Sequence, residues 1–168
     1  QEFASVFPNA YIRSVNASRA TRWQRIPGGV RYENVKGLFS LRLDDPEDLV
    51  PDLSRTQGIV GYRKFKGALY LHIDPQADSV SVYMKRGDNT RPYIQELGGR
   101  MNSVSITNSK IRIELAPFAR DEVKIFVPDK QEVGVIVNGT NSSQSVVNNI
   151  VTVPIQVRPE PQTIEVHL

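Results

Sequence analysis

Apolar and polar residues alternate with a period of two along most of this chain. The alternation is clean in Leu41-Arg42-Leu43, Leu69-Tyr70-Leu71-His72-Ile73 and Val80-Ser81-Val82-Tyr83-Met84. It returns in residues 111–115, 123–127, 133–137, 150–153 and 163–168, and is partly broken over residues 30–35. A period of two sends successive side chains to opposite faces, so these segments are expected to be half-buried strands of antiparallel sheets. Turn-forming groups punctuate them: Pro27-Gly28-Gly29, Asp44-Asp45-Pro46, Asp74-Pro75, Arg86-Gly87-Asp88-Asn89 and Arg158-Pro159-Glu160-Pro161. Asn138-Gly139, set between β-branched runs, predicts a tight hairpin. No amphipathic helix is visible. Residues 46–54 are expected to make one short helical turn at most, with Pro46 in its first turn and Asp45 as cap.

The pattern also recurs. Ala10-Tyr11-Ile12-Arg13 matches Pro92-Tyr93-Ile94-Gln95 at an offset of 82, and Leu41-Arg42-Leu43 meets Val123-Lys124-Ile125 at the same offset. Residues 69–73 match residues 153–157 at an offset of 84, and residues 80–84 match 164–168. The order is kept, and a two-residue difference in one loop accounts for the drift. A repeat of this kind predicts architecture before function. The expected fold is all-β, with two tandem repeated antiparallel β-sandwich units packed together, residues 1–86 and residues 87–168. On this alignment Leu69, Leu71 and Ile73 correspond to Val153, Ile155 and Val157, all aliphatic, and the face they share is expected to be buried. Pro154 inside a strand predicts an edge position or a bulge.

Composition narrows the classes of function. The 168 residues contain no cysteine, which removes disulfides, thiolate metal sites and cysteine nucleophiles. No apolar run reaches the roughly 18–20 residues of a membrane helix, so no membrane insertion is expected. The net charge of +3 is uneven. Residues 1–86 hold 13 Lys+Arg against 9 Asp+Glu, and residues 87–168 hold 8 against 9, giving +4 and −1. That is too mild for a nucleic-acid protein and fits a preference for an anionic surface or polymer. N-x-S/T sequons at Asn16, Asn138 and Asn141 are no more than a chain rich in Asn, Ser and Thr produces by chance.

Catalytic chemistry has little to work with. There are two histidines, His72 and His167, and no G-x-S-x-G pattern surrounds any serine. The acidic run Asp44, Asp45, Glu47, Asp48 and Asp52 lacks calcium-loop spacing and reads as a solvated loop. No metal and no cofactor are expected, and no catalytic residue is assigned. Arginines and aromatics carry the functional signal. Arg13, Arg19, Arg22, Trp23, Arg25 and Arg31 crowd the first 31 residues, and Tyr62-Arg63-Lys64-Phe65-Lys66 adds a second basic-aromatic cluster. Aromatic faces beside guanidinium forks suit sugar rings, anionic groups or protein hot spots. The bland alternative is a core tryptophan with arginine stems packed around it. The expected ligand contacts are Arg22, Trp23, Arg25, Tyr62, Arg63, Tyr70 and His72, all in the first half.

Tyr11-Ile12-Arg13-Ser14-Val15-Asn16-Ala17, then Arg22-Trp23 and Gly29-Val30-Arg31-Tyr32, resemble the ancillary β-modules of bacterial exopolysaccharide-processing proteins, found near polysaccharide deacetylase or polygalactosaminidase domains. Pro92-Tyr93-Ile94-Gln95-Glu96, residues 111–115 and Val135-Ile136-Val137-Asn138-Gly139 are similar to the same modules, while the metal-binding His and Asp motifs of the catalytic domains are missing. The resemblance implies an extracytoplasmic, non-catalytic carbohydrate-binding or scaffolding module whose partner is a carbohydrate polymer or a neighbouring protein domain. Alternatives are a protein-interaction or assembly module and, third, a polysaccharide lyase or hydrolase.

Overall fold

A computed structural model of the chain describes residues 20–44 and 48–168. The repeat segment at residues 10–13 lies outside them, as do Asp45, Pro46 and Glu47. The described residues form fifteen strands, and the one α-helical residue among them is Ala20, ahead of the first strand. The first seven are β1 (Arg22–Ile26), β2 (Gly29–Glu33), β3 (Ser40–Asp44), β4 (Leu49–Pro51), β5 (Ile59–Phe65), β6 (Ala68–Ile73) and β7 (Ser79–Arg86). The rest are β8 (Tyr93–Glu96), β9 (Met101–Ile106), β10 (Lys110–Leu115), β11 (Asp121–Phe126), β12 (Glu132–Val137), β13 (Thr140–Val147), β14 (Ile150–Ile155) and β15 (Gln162–His167). The all-β expectation holds. The short helical turn does not: Leu49–Pro51 is strand β4, paired with β7.

One sheet runs β1-β2-β7-β4, and the other runs β3-β6-β5-β8-β11-β14-β13-β12-β15-β10-β9. The long sheet folds back on itself at β13. Residues 140–145 of β13 pair with β12, while Val146 and Val147 pair with β14. One strand thus passes from one layer to the other, and β12, β15, β10 and β9 close over β14, β11 and β8. Two cores result. The larger holds Ile94, Ile111, Ile113, Val123, Ile125 and Ile164, all at 0% exposure. The smaller lies between β2-β7 and β6-β5 and holds Leu69, Leu71 and Val80, also at 0%, with Val35 and Tyr62. Each such side chain contributes about 1.5–3 kcal/mol on burial.

The alternation read from the sequence is the physical basis of both cores. Leu69, Leu71 and Ile73 face inward from β6, and Val151, Val153 and Ile155 face inward from β14. Val157 does not share that face: it lies beyond β14 and is 61% exposed. The pairing registers give the reason. Leu41 stands opposite Leu71 and Val123 opposite Val153, so the strand partners of 69–73 by register are 151–155, which end before Val157. Pro154 sits where β14 is paired on one side only, because the β13–β14 ladder covers just Ile150 and Val151. Its missing N–H therefore costs no ladder bond on that side. Asn138 and Gly139 form the expected hairpin with φ of 50° and 82°, both in the left-handed region such a turn requires.

The halves are joined by a parallel contact between β5 and β8, at Gly61 and Ile94. A Cβ at Gly61 would stand 1.8 Å from the Ile94 carbonyl oxygen, so only glycine allows the approach. Beside it Tyr62, Tyr93 and Phe126 stack in series, with centroids 4.6 and 4.7 Å apart. Asn89, from the seam between the halves, is 4% exposed and fully engaged. Its Nδ2 donates to the Pro51 carbonyl at 2.9 Å and the Tyr62 hydroxyl at 3.2 Å, and its Oδ1 accepts from Leu53 N at 3.1 Å.

Gly61→Ala is expected to lower the unfolding free energy by roughly 3 kcal/mol, the upper end of the overpacking range, because the opposing atom is backbone and cannot swing away. Urea denaturation followed by far-ultraviolet circular dichroism measures the loss, and an unchanged midpoint would contradict the close approach.

Candidate functional site

The outer face of the seven-strand layer carries the chemistry. On β6 the outward residues are Ala68, Tyr70 and His72, since Leu69, Leu71 and Ile73 point to the core. Antiparallel register sets Arg42 of β3 and Arg63 of β5 on either side of Tyr70. The sheet therefore presents an arginine–tyrosine–arginine row across three strands. One row further along, His72 lies between Ser40 and Gly61. With no side chain at Gly61 in the way, the ring reaches over β5, and its Nε2 stands 2.8 Å from the Gln95 carbonyl oxygen on β8.

Two loops raise walls around this surface and enclose a cleft of about 380 Å³. Residues 37–40 form one wall, with Phe39 at its rim. Leu97, Gly99 and Arg100 form the other. The second loop is held by its backbone: Arg120 N donates to Gly98 O at 3.0 Å, and Ala116 N donates to Arg100 O at 2.8 Å. A Cβ at Gly98 would fall 1.6 Å from the Arg120 carbonyl oxygen, so the loop packs directly on the main chain. Arg100 carries its guanidinium across to the Phe39 ring, 5.4 Å from the centroid.

Glu96 on β8, outside the cleft lining, organises the charges next to it. Its Oε1 accepts from Arg63 at 2.8 Å and its Oε2 from Lys124 at 3.2 Å, and Lys124 also reaches Glu122 at 2.7 Å. The bonds to Glu122 and Glu96 push the Lys124 ammonium above its ordinary value. Arg63 lies over the Phe65 ring at 4.5 Å, with Lys66 at 5.0 Å. His72 is pushed the other way. Burial disfavours its charged form and the nearby Arg63 adds to this, outweighing the Gln95 carbonyl and Glu96, which favour the proton. At neutral pH it is a neutral imidazole that donates to Gln95. Tyr93 is raised well above an ordinary phenol by burial and by its bond with Tyr62.

The residues expected from the sequence are therefore divided. Arg63, Tyr70 and His72 line the cleft together. Tyr62 does not: it points inward, is 7% exposed and belongs to the aromatic stack, so it is a packing residue. Arg22, Trp23 and Arg25 lie on β1, in the other sheet, and are exposed. Trp23 is 67% exposed and is no core tryptophan. Phe39, Phe65 and Arg100 are the lining residues that sequence reasoning did not select. Phe65 stood within the noted basic-aromatic cluster, whereas Phe39 and Arg100 sit in loops whose approach no periodicity encodes. In the former acidic run, Asp52 is occupied by Ser54, whose Oγ donates at 2.6 Å and N at 3.1 Å, and these bonds lower its carboxyl below the usual range. Among the described residues no three His, Cys, Asp or Glu side chains gather as metal ligands. No family model, no curated protein and no solved structure matches the chain.

The depressed His72 value has a thermodynamic consequence with a definite sign. Below its ordinary value of 6.5 the unfolded chain binds a proton that the folded chain resists, so stability falls as pH drops through that point. Above it the group contributes no slope. His72→Gln is expected to remove this part of the pH dependence, measured as urea midpoints between neutral and mildly acidic pH. A wild-type midpoint that rises on acidification, with a slope that His72→Gln abolishes, would reverse the assignment.

Proposed function

We propose that this chain is a non-catalytic carbohydrate-binding module of an extracytoplasmic polysaccharide-handling protein, and that the cleft over β5 and β6 takes an anionic sugar polymer. The observation that carries this reading is the lining itself. Aromatic rings of Phe39, Phe65 and Tyr70 stand beside the guanidinium groups of Arg63 and Arg100 in one open groove. Sugar rings stack their C–H faces on aromatics, and guanidinium forks hold carboxylates in two parallel hydrogen bonds. Arg100 has no carboxylate partner among the described residues, so its charge remains for a ligand. Arg63 is oriented by Glu96 and Phe65 and presents its remaining donors at a fixed place.

The same lining supports binding over turnover. No described residue of the cleft is a carboxylate or a thiol, so the paired acids of glycoside hydrolysis are missing from it. His72 is held neutral with its Nε2 committed to Gln95. The extracytoplasmic location and the polysaccharide context rest on the resemblance to ancillary modules of exopolysaccharide-processing proteins.

Isothermal titration against a uronate-containing polysaccharide and a neutral one tests the proposal. The uronate polymer is expected to bind more tightly. Arg100→Ala is expected to weaken it about tenfold, the loss of one charge-assisted contact of roughly 1.4 kcal/mol. Tyr70→Ala is expected to weaken both polymers. Trp23→Ala, on the other sheet, is expected to leave binding unchanged. Equal affinity of wild type and Arg100→Ala for the uronate polymer would remove the anionic-ligand assignment, and no binding to either polymer would remove the glycan reading.

A further inference from the structure

A second groove opens where β13 changes partners. Residues 140–145 of β13 pair with β12, and only Val146 and Val147 pair with β14. From that point the two strands part like the prongs of a fork. Ser143 and Ser145 stand on one prong and Thr152 on the other, with side chains too short to fill the space between them. The register carries the groove on across the layer: Thr152 is opposite Lys124 on β11, and Lys124 is opposite Glu96 on β8. The open space amounts to about 580 Å³, larger than the cleft over β5 and β6.

Its lining differs in kind from that of the cleft. The cleft holds Arg100, whose charge has no carboxylate partner among the described residues. In the second groove the one charged side chain is Lys124, and Glu96 and Glu122 already match it at 3.2 and 2.7 Å. What remains is neutral: the amides of Gln95 and Gln144 and the hydroxyls of Ser145 and Thr152. Among the described residues, none of these four side-chain groups is hydrogen-bonded to another part of the chain. Val147, 65% exposed, sets an aliphatic surface beside them. Amides and hydroxyls both donate and accept, as sugar hydroxyls do, and a small apolar surface suits the C–H face of a sugar ring. A charged sugar finds no unmatched counter-charge there.

The groove and the cleft meet at β8. His72 lines the cleft and bonds to the Gln95 carbonyl, while Gln95 itself lines the groove. Arg63 of the cleft and Lys124 of the groove stand on the two oxygens of one carboxylate, that of Glu96. We propose that cleft and groove are neighbouring subsites of one track, the cleft taking an anionic sugar unit and the groove taking uncharged units of the same chain. This rests on the glycan reading above and narrows it: the ligand is a polymer that carries neutral sugars next to charged ones.

Isothermal titration with hyaluronan oligomers, in which uronate and neutral N-acetylhexosamine units alternate, tests the track. Wild type is expected to bind the hexasaccharide about tenfold more tightly than the disaccharide. The double variant Ser145→Ala, Thr152→Val is expected to weaken the hexasaccharide about tenfold, through the loss of two neutral hydrogen bonds, and to leave the disaccharide unchanged. Both substitutions delete one hydroxyl and keep the shape of the side chain, and the unchanged disaccharide reports an intact fold. A longer oligomer has more ways to place one uronate in the cleft, but that statistical gain survives the double variant. An oligogalacturonate hexasaccharide, charged at every unit, is expected to bind wild type and double variant alike, and a loss equal to that of the hyaluronan oligomer would overturn the assignment of the groove to uncharged units. The track is overturned if wild type binds both hyaluronan oligomers equally, or if the double variant holds the hexasaccharide as tightly as wild type does. In either case the cleft keeps its ligand and the glycan reading stands. Binding of none of these oligomers to wild type removes the glycan reading and the track together.

Discussion

The contact on which the rest of the molecule depends is the approach of the Ile94 carbonyl to the α-carbon of Gly61. Two sandwiches could have sat side by side with separate edges. Instead β8, which belongs in sequence to the second half, lies between β5 and β11 and makes one layer of both. Backbone hydrogen bonding at that join requires the two main chains to meet without an intervening side chain. Everything nearby follows from the missing Cβ. Tyr62, Tyr93 and Phe126 stack beneath the join, Asn89 ties the seam to Pro51 and Tyr62, and His72 reaches across β5 to a carbonyl on the far side. The cleft exists because both halves build it: its floor comes from β5 and β6, and one wall from the loop after β8.

The ion pairs around Glu96 have a role in geometry more than in stability. Arg63 and Lys124 retain 36% and 32% of their side-chain surface, and pairs this exposed contribute about 0–1 kcal/mol. What they fix is direction. A carboxylate bridging two cations, one of which also lies on an aromatic ring, removes rotamer freedom from Arg63 before any ligand arrives. Lysine in that position would keep the charge and lose the planar fork.

How much was legible in the sequence depended on burial. Strands with one buried face announce themselves by alternation, and β3, β6, β7, β10, β11, β12, β14 and β15 were all visible. β1 and β13 were not. Residues 22–25 and 140–143 are exposed on both faces, so neither strand has an apolar face to mark it. Val157 was placed on the buried face because apolar residues continue past the end of β14, and a period of two makes a slip of two invisible. Of the site, Arg63 was found in the basic-aromatic cluster of residues 62–66, and Tyr70 and His72 as the polar-tipped residues alternating with the aliphatics of β6. Tyr62 was misplaced because alternation alone does not say which face is outward when both carry large polar-tipped residues. Arg100 and Phe39 approach through loops, and loop approach is a property of the tertiary structure.

The mostly polar strand β13 has a consequence for assembly. The register that equates Phe65 with Val147 sets Ser143 where β5 has Gly61. That place is already taken: Ser143 pairs with Gly134 of β12, and β12 holds the side of β13 on which β8 joins β5. The edge through which β5 fuses one half to the next is closed on β13 by a strand of the same half, so the join is made once.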